Sequence, residues 1–185
     1  MKLSDVLTSP PTEPIRALKG DIASQCADVV VNAANERLGD GAGVAGAIHK
    51  AAGRGLLREC ADSYPDGCPT GEARVTGGHK LPAKWIVHTV GPRWSGGTNG
   101  EPELLADCYR NSLQASAERG ARTVAFPAIS TGIFHYPRED AARVAVSTIR
   151  EFVAQSDHGI NEVILVAYDS EQLAIYERLL ETEED

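Results

Sequence analysis

The chain has 185 residues, 42% hydrophobic and 24% charged, which is typical of one soluble globular domain. Its net charge of −8 disfavours broad electrostatic binding to nucleic acid, which depends on Lys and Arg. No signal-peptide core is present, and no run reaches the roughly 18 apolar residues of a membrane span, so we expect a cytoplasmic protein without a membrane partner.

Six short runs have strand character, and those around Val30 and Leu165 are apolar without interruption, as in strands covered on both faces. The predicted strands are 15–18, 29–32, 73–76, 85–90, 123–126 and 163–167. Residues 1–14 hold a proline-rich stretch and are predicted to be an extended lead-in, with 15–185 forming a single domain.

Apolar residues at helical spacing fill the gaps between the strands. The predicted buried stripes include Leu56, Leu57, Cys60 and Ala61; Leu104, Leu105, Cys108 and Leu113; Ala141, Ala145, Ile149 and Phe152; and Leu173, Tyr176, Leu179 and Leu180. One helix is expected to begin near Pro137 and another at an N-cap pair, Asp169 and Gln172, while Gly120 and Gly159 are expected to stop helices. Helices alternating with buried strands predict a three-layer α/β domain.

The four cysteines form no Cys-x-x-Cys pair, and no helical His pair lies near them. We expect reduced, mostly buried thiols, with Cys68 the most exposed, and no metal site or cofactor.

The stretch from Val31 to His49 predicts a strand, a glycine-dense loop and the start of a helix. Backbone N–H groups at such a junction suit an anion such as a pyrophosphate. Asn32 and Asn35 add amides that can hydrogen-bond sugar hydroxyls. A formal Gly-x-Gly-x-x-Gly match at 41–46 lacks the strand and turn spacing of a dinucleotide site and is weak by itself.

Two further loops follow predicted strands, and ligands of such sheets lie outside the carboxyl ends of the strands. The loop 127–137 supplies Ser130, Thr131 and Gly132, followed by large apolar residues at 133, 134 and 136 that either pack over the sheet or contact a ligand. The third loop is short, Tyr168-Asp169.

Taken together, these segments resemble the macrodomain family, and more closely its MacroD-type branch of ADP-ribose-binding hydrolases. The matching segments are Gly20-Asp-Ile, Val31-Asn-Ala-Ala-Asn, Gly46-Ala-Ile-His-Lys-Ala-Ala-Gly, Cys68-Pro-Thr-Gly-Glu-Ala, Ile86-Val-His-Thr-Val-Gly-Pro and Phe126-Pro-Ala-Ile-Ser-Thr-Gly-Ile-Phe. The resemblance implies an α/β/α macrodomain fold with a mixed central sheet of about six strands.

The resemblance also implies a role for individual residues. Asp21 and the Ile22 N–H would bind adenine, with Tyr168 beside the ring. Gly43, Val44 and the run Ser130, Thr131, Gly132, Ile133 and Phe134 would surround the pyrophosphate, with Phe134 also packing on the distal ribose. Asn35 would hold that ribose and position the attacking water, Asn32 would brace the loop, and His49 would lie behind it.

Ala45 stands where MacroD-type enzymes have their catalytic aspartate, so a general base is missing at that position. Two routes stay open: the phosphate of the ligand acts as the base, or Asp40 supplies a relocated carboxylate. Ala42 replaces a family glycine and would cost about 1 kcal/mol if φ were positive there. His135, also at a glycine position, either narrows the ribose site or is an exposed loop residue.

We therefore expect a protein that binds ADP-ribose and hydrolyses its esters on Asp or Glu of ADP-ribosylated proteins, or in O-acetyl-ADP-ribose. Asn35 and Asp40 are the candidate catalytic residues, and Ala45 is among the ligand-binding positions. One alternative is a reader that binds ADP-ribose without turnover, which Ala45 favours. A binder of poly(A) or single-stranded RNA is a second alternative, which the net charge of −8 disfavours.

Overall fold

The computed structural model describes residues 13–182, so most of the expected lead-in lies outside the described residues. The strands are β1 Ile15–Lys19, β2 Val29–Ala33, β3 Ala73–Gly77, β4 Trp85–Thr89, β5 Thr123–Phe126 and β6 Glu162–Ala167. The helices are α1 Gly43–Ala52, α2 Arg54–Ser63, α3 Glu101–Glu118, α4 Arg138–Val153 and α5 Ser170–Glu181, with a 3₁₀ turn at Ile22–Ser24. Every predicted strand is confirmed to within one residue at each end.

The strands form one mixed sheet in the order β1-β6-β5-β2-β4-β3, in which only β3 runs antiparallel to its neighbour. The carboxyl ends of β1, β6, β5 and β2 therefore lie side by side at one edge of the sheet. The loops that follow these four strands meet there, as expected for a doubly covered parallel sheet.

Alternate residues of the central strands enter two separate cores, which gives the predicted three layers. Val29 and Val31 pack with α3, α4 and α5 on one face, whereas Val30 packs with α1 and α2 on the other. This division explains the uninterrupted apolar runs, because both faces of each inner strand are buried. Among residues 13–182 no helix is long and apolar enough to cross a membrane.

Three details differ from the sequence prediction. Leu57 and Ala61 are exposed, because the buried face of α2 is narrow and is formed by Leu56 and Cys60. Cys68 is buried beneath the loop after β2, where its N–H bonds the Glu36 carbonyl, and Cys26 is the exposed cysteine. Helix α4 ends at Val153, before the stop expected at Gly159.

The predicted N-cap of α5 is confirmed, since the Asp169 carboxylate accepts a hydrogen bond from the Gln172 N–H at 2.9 Å. Helix α4 begins directly after Pro137, as predicted. Both helix starts place the preceding loops at the carboxyl edge of the sheet.

Candidate functional site

A cleft runs across the carboxyl ends of the parallel strands and consists of two adjoining cavities of about 450 and 240 Å³. The larger cavity lies over β1 and β6, and the smaller one over β2 and the loop after β5. Both are lined by Gly43, Val44, Ala128 and Gly132, so the start of α1 and the β5 loop form their common boundary. The cleft can therefore take one long ligand.

The structure brings most of the predicted site residues to this cleft. The larger cavity is lined by Asp21, Ile22, Gly43, Val44, Thr131, Gly132 and Tyr168, and the smaller by Asn35, Gly43, Val44, Ala45, Ser130, Gly132, Ile133 and Phe134. Two predicted residues line neither cavity: Asn32, which is 1% exposed, and Asp40, which borders a separate depression.

At the outer end of the larger cavity, Asp21 has one carboxylate oxygen bonded to the Ala23 N–H at 2.9 Å, where it caps the 3₁₀ turn. Asp21 thus serves as a turn residue and as part of the cavity wall at once. Tyr168 is 89% exposed at the mouth, which leaves its ring face free to stack on a flat group.

An ion pair that the sequence analysis missed lies beside this end of the cleft. Arg138 donates two hydrogen bonds to the Asp169 carboxylate, at 2.9 and 3.0 Å, and both residues line the larger cavity. The Arg138 guanidinium, followed by the Gln172 N–H, holds the pKa of Asp169 below its usual range. The sequence carried no signal for this pair, because Glu139 and Asp140 already place acidic residues in the first turn of α4.

The boundary between the cavities presents backbone N–H groups. Helix α1 has no side-chain cap and no acidic residue in its first turn, so its N-terminal dipole is uncompensated there. In the β5 loop, the N–H groups of Gly132, Ile133 and Phe134 have no acceptor among residues 13–182. Ser130 holds a left-handed φ of +68°, a conformation that is uncommon outside glycine and sharpens the turn. This boundary suits an anion.

The glycine replacements in the two loops have different consequences. Ala42 adopts φ −89°, so it carries no left-handed strain, and the expected cost is absent because the positive φ of +61° falls on Gly43. His135 does adopt a left-handed φ of +59°, which explains why glycine suits that position. Its side chain is exposed and lines neither cavity.

Asn35 lies on the wall of the smaller cavity and is held in place by its own loop. Its Nδ2 donates to the carbonyls of Gly39 at 3.1 Å and Asp40 at 3.4 Å, and its Oδ1 accepts from the Gly39 N–H at 3.1 Å. One lone pair of Oδ1 is left for a ligand or a water. Phe134 lies across the same cavity. The Arg93 guanidinium stacks over its ring in a cation–π contact, 4.8 Å from the ring centroid.

Beneath the smaller cavity, polar side chains cross three strands. The Asn32 Nδ2 lies 3.0 Å from His88 Nδ1, and His88 Nε2 lies 2.9 Å from the Thr76 hydroxyl. Asn32 points to this side because side chains alternate along β2, and Val30 on the same side enters the α1 and α2 core. Asn32 therefore braces the sheet under the site.

Acidification is expected to destabilise the protein through His88. Burial, followed by the nearby charges of His49 and His79, lowers the pKa of His88 from 6.5 to about 3. Between these values the unfolded chain binds a proton that the folded protein does not. The free energy of unfolding should therefore fall by about 1.4 kcal/mol per pH unit, or about 2 kcal/mol between pH 6.5 and 5.

Urea unfolding at a series of pH values measures this effect. The variant His88→Gln should lose that part of the pH dependence, whereas His135→Gln, which alters an exposed histidine, should keep it. Equal pH slopes for the wild type and His88→Gln would contradict the assignment.

No group of three or more His, Cys, Asp or Glu within 13–182 is arranged to hold a metal ion.

Comparison with known proteins bears on this cleft. A family model described as the Macro domain matches residues 31–145. A macro domain-containing protein of Chlorobaculum tepidum is 51% identical over 166 residues, covering 90% of this chain and 95% of the relative. A protein of Escherichia coli K12 named O-acetyl-ADP-ribose deacetylase is 49% identical over 174 residues, covering 92% and 97%.

Solved structures agree with these sequence matches. The Oceanobacillus iheyensis macrodomain with ADP superposes with a TM-score of 0.82 at 38% identity, over 90% of this chain and 89% of that one. The Trypanosoma brucei macrodomain in complex with ADP-ribose gives a TM-score of 0.84 at 36% identity, over 90% and 69%. This chain belongs to the macrodomain family.

Proposed function

We propose that this protein binds ADP-ribose and hydrolyses esters at its distal ribose. The substrates are mono-ADP-ribosylated Asp or Glu on proteins and O-acetyl-ADP-ribose. The observation that carries the proposal is the arrangement of the cleft. Two cavities are joined by backbone N–H groups that have no acceptor within 13–182, and Asn35 lies in the smaller cavity. The relatives named O-acetyl-ADP-ribose deacetylase support the type of reaction.

In this proposal, adenine occupies the larger cavity. The free carboxylate oxygen of Asp21 accepts a hydrogen bond from the amino group of the base, and Tyr168 stacks on the ring. The pyrophosphate lies at the boundary, against the start of α1 and the N–H groups of Gly132, Ile133 and Phe134. Backbone dipoles provide this positive potential, which explains how a chain of net charge −8 binds an anion.

The distal ribose then enters the smaller cavity, where Asn35 and a ligand phosphate hold a water. For a glycosyl ester, the water oxygen bonds to the anomeric carbon and the bond from that carbon to the carboxylate oxygen breaks. The proton of the water passes to a phosphate oxygen and on to solvent. For an acetyl ester, the water adds to the acyl carbon, the bond between that carbon and the ribose oxygen breaks, and the proton goes to the ribose oxygen.

None of the residues that line the smaller cavity has a carboxylate that could serve as the base. Ala45 is 5% exposed there and has no ionisable group, and Asp40 lines a different depression. The ligand phosphate is therefore the base we favour over Asp40. A carboxylate is a good leaving group from the anomeric carbon, and the acyl carbon of an acetyl ester is itself open to attack by water. For both substrates, a fixed orientation and a polarised water therefore provide enough acceleration.

Ala45 also favours a second candidate function, a reader that holds ADP-ribose without turnover. Incubation with a glutamate-ADP-ribosylated protein and with O-acetyl-ADP-ribose separates the two functions. We expect the protein to release ADP-ribose from the first substrate and acetate from the second, above the spontaneous rate at the same pH. A label retained on the substrate together with measurable ADP-ribose binding would identify a reader, and an absence of ADP-ribose binding in calorimetry would overturn both.

A further inference from the structure

A depression of about 290 Å³ lies directly across the loop from the smaller cavity. Gly41 lines both of them, and in the first turn of α1 Ala45 lines the cavity while Gly46 lines the depression, so this loop and the start of α1 lie between the two. The floor of the depression is formed by the end of α1 and the start of α2, which Gly53 alone connects. Asn35 is bonded to this loop through the carbonyls of Gly39 and Asp40, so a group attached to a ligand at Asn35 would lie next to the loop that borders the depression.

The depression carries positive charge on an acidic protein. Lys50, in the last turn of α1, and Arg54, the first residue of α2, are both exposed, and neither has an ion-pair partner among residues 13–182. An arginine at a helix N-terminus opposes the helix dipole and lowers the stability of the helix. Arg54 also has no acidic residue in the first turn to offset it. The position of Arg54 therefore favours the binding of an anion, although it does not stabilise helix α2.

The same depression exposes an apolar side chain. Leu57 is 44% exposed, and the other two large hydrophobic side chains that are exposed within 13–182, Ile133 and Tyr168, both line the ligand cleft. All three therefore line concave surfaces. A side chain of this kind is typical of a contact surface.

Two further groups face the depression. His49 forms its inner wall, and burial lowers the pKa of this histidine, so it adds no positive charge at neutral pH. Its Nε2 atom is buried without a hydrogen-bond partner among the described residues. Asp40 places one carboxylate at the rim next to Gly41, which leaves Lys50 and Arg54 as the side that attracts acidic groups.

We propose that this depression binds the acidic polypeptide segment that carries the ADP-ribose group. Carboxylates beside the modified residue contact Lys50 and Arg54, and an apolar side chain of the segment covers Leu57. The inference rests on the proposed function, because an ester on Asp or Glu places the modified residue of the protein substrate at Asn35. O-acetyl-ADP-ribose carries no polypeptide and does not reach the depression.

The test compares two substrates in a charge-reversed variant, Lys50→Glu with Arg54→Glu. Its control is Arg110→Glu with Arg143→Glu, which changes the net charge equally on α3 and α4, across the sheet. Both arginines make exposed ion pairs within their own helices, and pairs of this kind contribute little to stability. The peptide is ADP-ribosylated on glutamate and has further glutamates and one leucine beside the modified residue. For this peptide we expect kcat/KM to fall about tenfold at low ionic strength, mainly through KM. Turnover of O-acetyl-ADP-ribose should change by less than about twofold, because exposed charges act weakly at a distance.

Two more arms make the test specific. Replacing the flanking glutamates of the peptide by glutamine should remove the difference between wild type and variant, and Leu57→Ser should weaken peptide binding without changing its salt dependence. An unchanged kcat/KM for the acidic peptide, or an equal loss on both substrates, would overturn the inference.

Binding measurements separate this inference from the proposed function. The affinities for ADP-ribose and for the ADP-ribosylated peptide are measured for the wild type and for the charge-reversed variant. Each measurement is completed before a significant fraction of the peptide has lost its ADP-ribose. A loss confined to the peptide supports the docking surface even if turnover is absent. Failure to bind free ADP-ribose overturns the proposed function instead.

Discussion

Replacement of Asn35 by alanine is expected to slow ester hydrolysis about tenfold or more while the protein stays folded. The side chain provides the one protein hydrogen-bonding group that we assign to the attacking water. Its amide is fixed by Gly39 and Asp40, so the water would be oriented without rearrangement. The rate of ADP-ribose release from a glutamate-linked substrate measures the effect.

Asn35 also holds its own loop, so the loss of turnover has to be separated from a loss of binding. Calorimetry with ADP-ribose and a thermal melt report the second effect, and the fall in kcat should exceed the fall in affinity. Asp40→Asn is the matched variant, because Asp40 belongs to the same loop and is the alternative base. It should keep turnover within about twofold, as expected for an exposed charge outside the cavity. Unchanged turnover in Asn35→Ala would remove Asn35 from the mechanism, and a large loss in Asp40→Asn would identify Asp40 as the base.

The second large effect is expected for Gly46→Ala. A Cβ at Gly46 would lie 2.1 Å from the Gly41 carbonyl oxygen, which belongs to the backbone and cannot rotate away. The loop must therefore move, and with it the start of α1 that borders both cavities. We expect the affinity for ADP-ribose to fall about tenfold or more, since displacement of a binding loop by about 1 Å has effects of this size.

The direction in which Gly46→Ala changes the melting temperature tests this prediction. In a helix, alanine is favoured over glycine by about 1 kcal/mol, so Gly46→Ala would raise the melting temperature if no clash occurred. The control is Gly39→Ala in the same loop, where the nearest atom to the new Cβ is Asn35 Oδ1 at 3.9 Å and φ is not left-handed. Gly39→Ala should bind ADP-ribose normally. A higher melting temperature with unchanged affinity in Gly46→Ala would show that the loop adapts.

Strands, helix starts and loops could be predicted from the sequence wherever a local residue pattern clearly favoured one type of structure. The apolar runs around Val30 and Leu165 favour strands buried on both faces, and Asp169 with Gln172 marks a helix start from two residues. The loops of the cleft were predictable for the same reason, because each follows a strand whose end the sequence marks. Their meeting at one sheet edge then follows from the parallel order of β6, β5 and β2.

Side-chain direction was less predictable. Asn32 and Asn35 are three residues apart, yet one enters the buried contact with His88 and the other lines the cavity. The difference arises where β2 ends at Ala33, since strand alternation no longer governs the chain beyond that point. Leu57 was assigned to the buried face of α2, but that face is only wide enough for Leu56 and Cys60.

The sequence by itself determined the layers, the strand ends and the glycine loops. These depend on neighbours along the chain, whose spacing fixes which residues share a face. The tertiary structure decided which distant groups meet. It pairs Arg138 with Asp169, leaves Asp40 outside the smaller cavity that Asn35 lines, and sets Lys50 and Arg54 around the neighbouring depression. Such contacts depend on how α1, α2 and the loops pack on the sheet, and no local pattern in the chain records that packing.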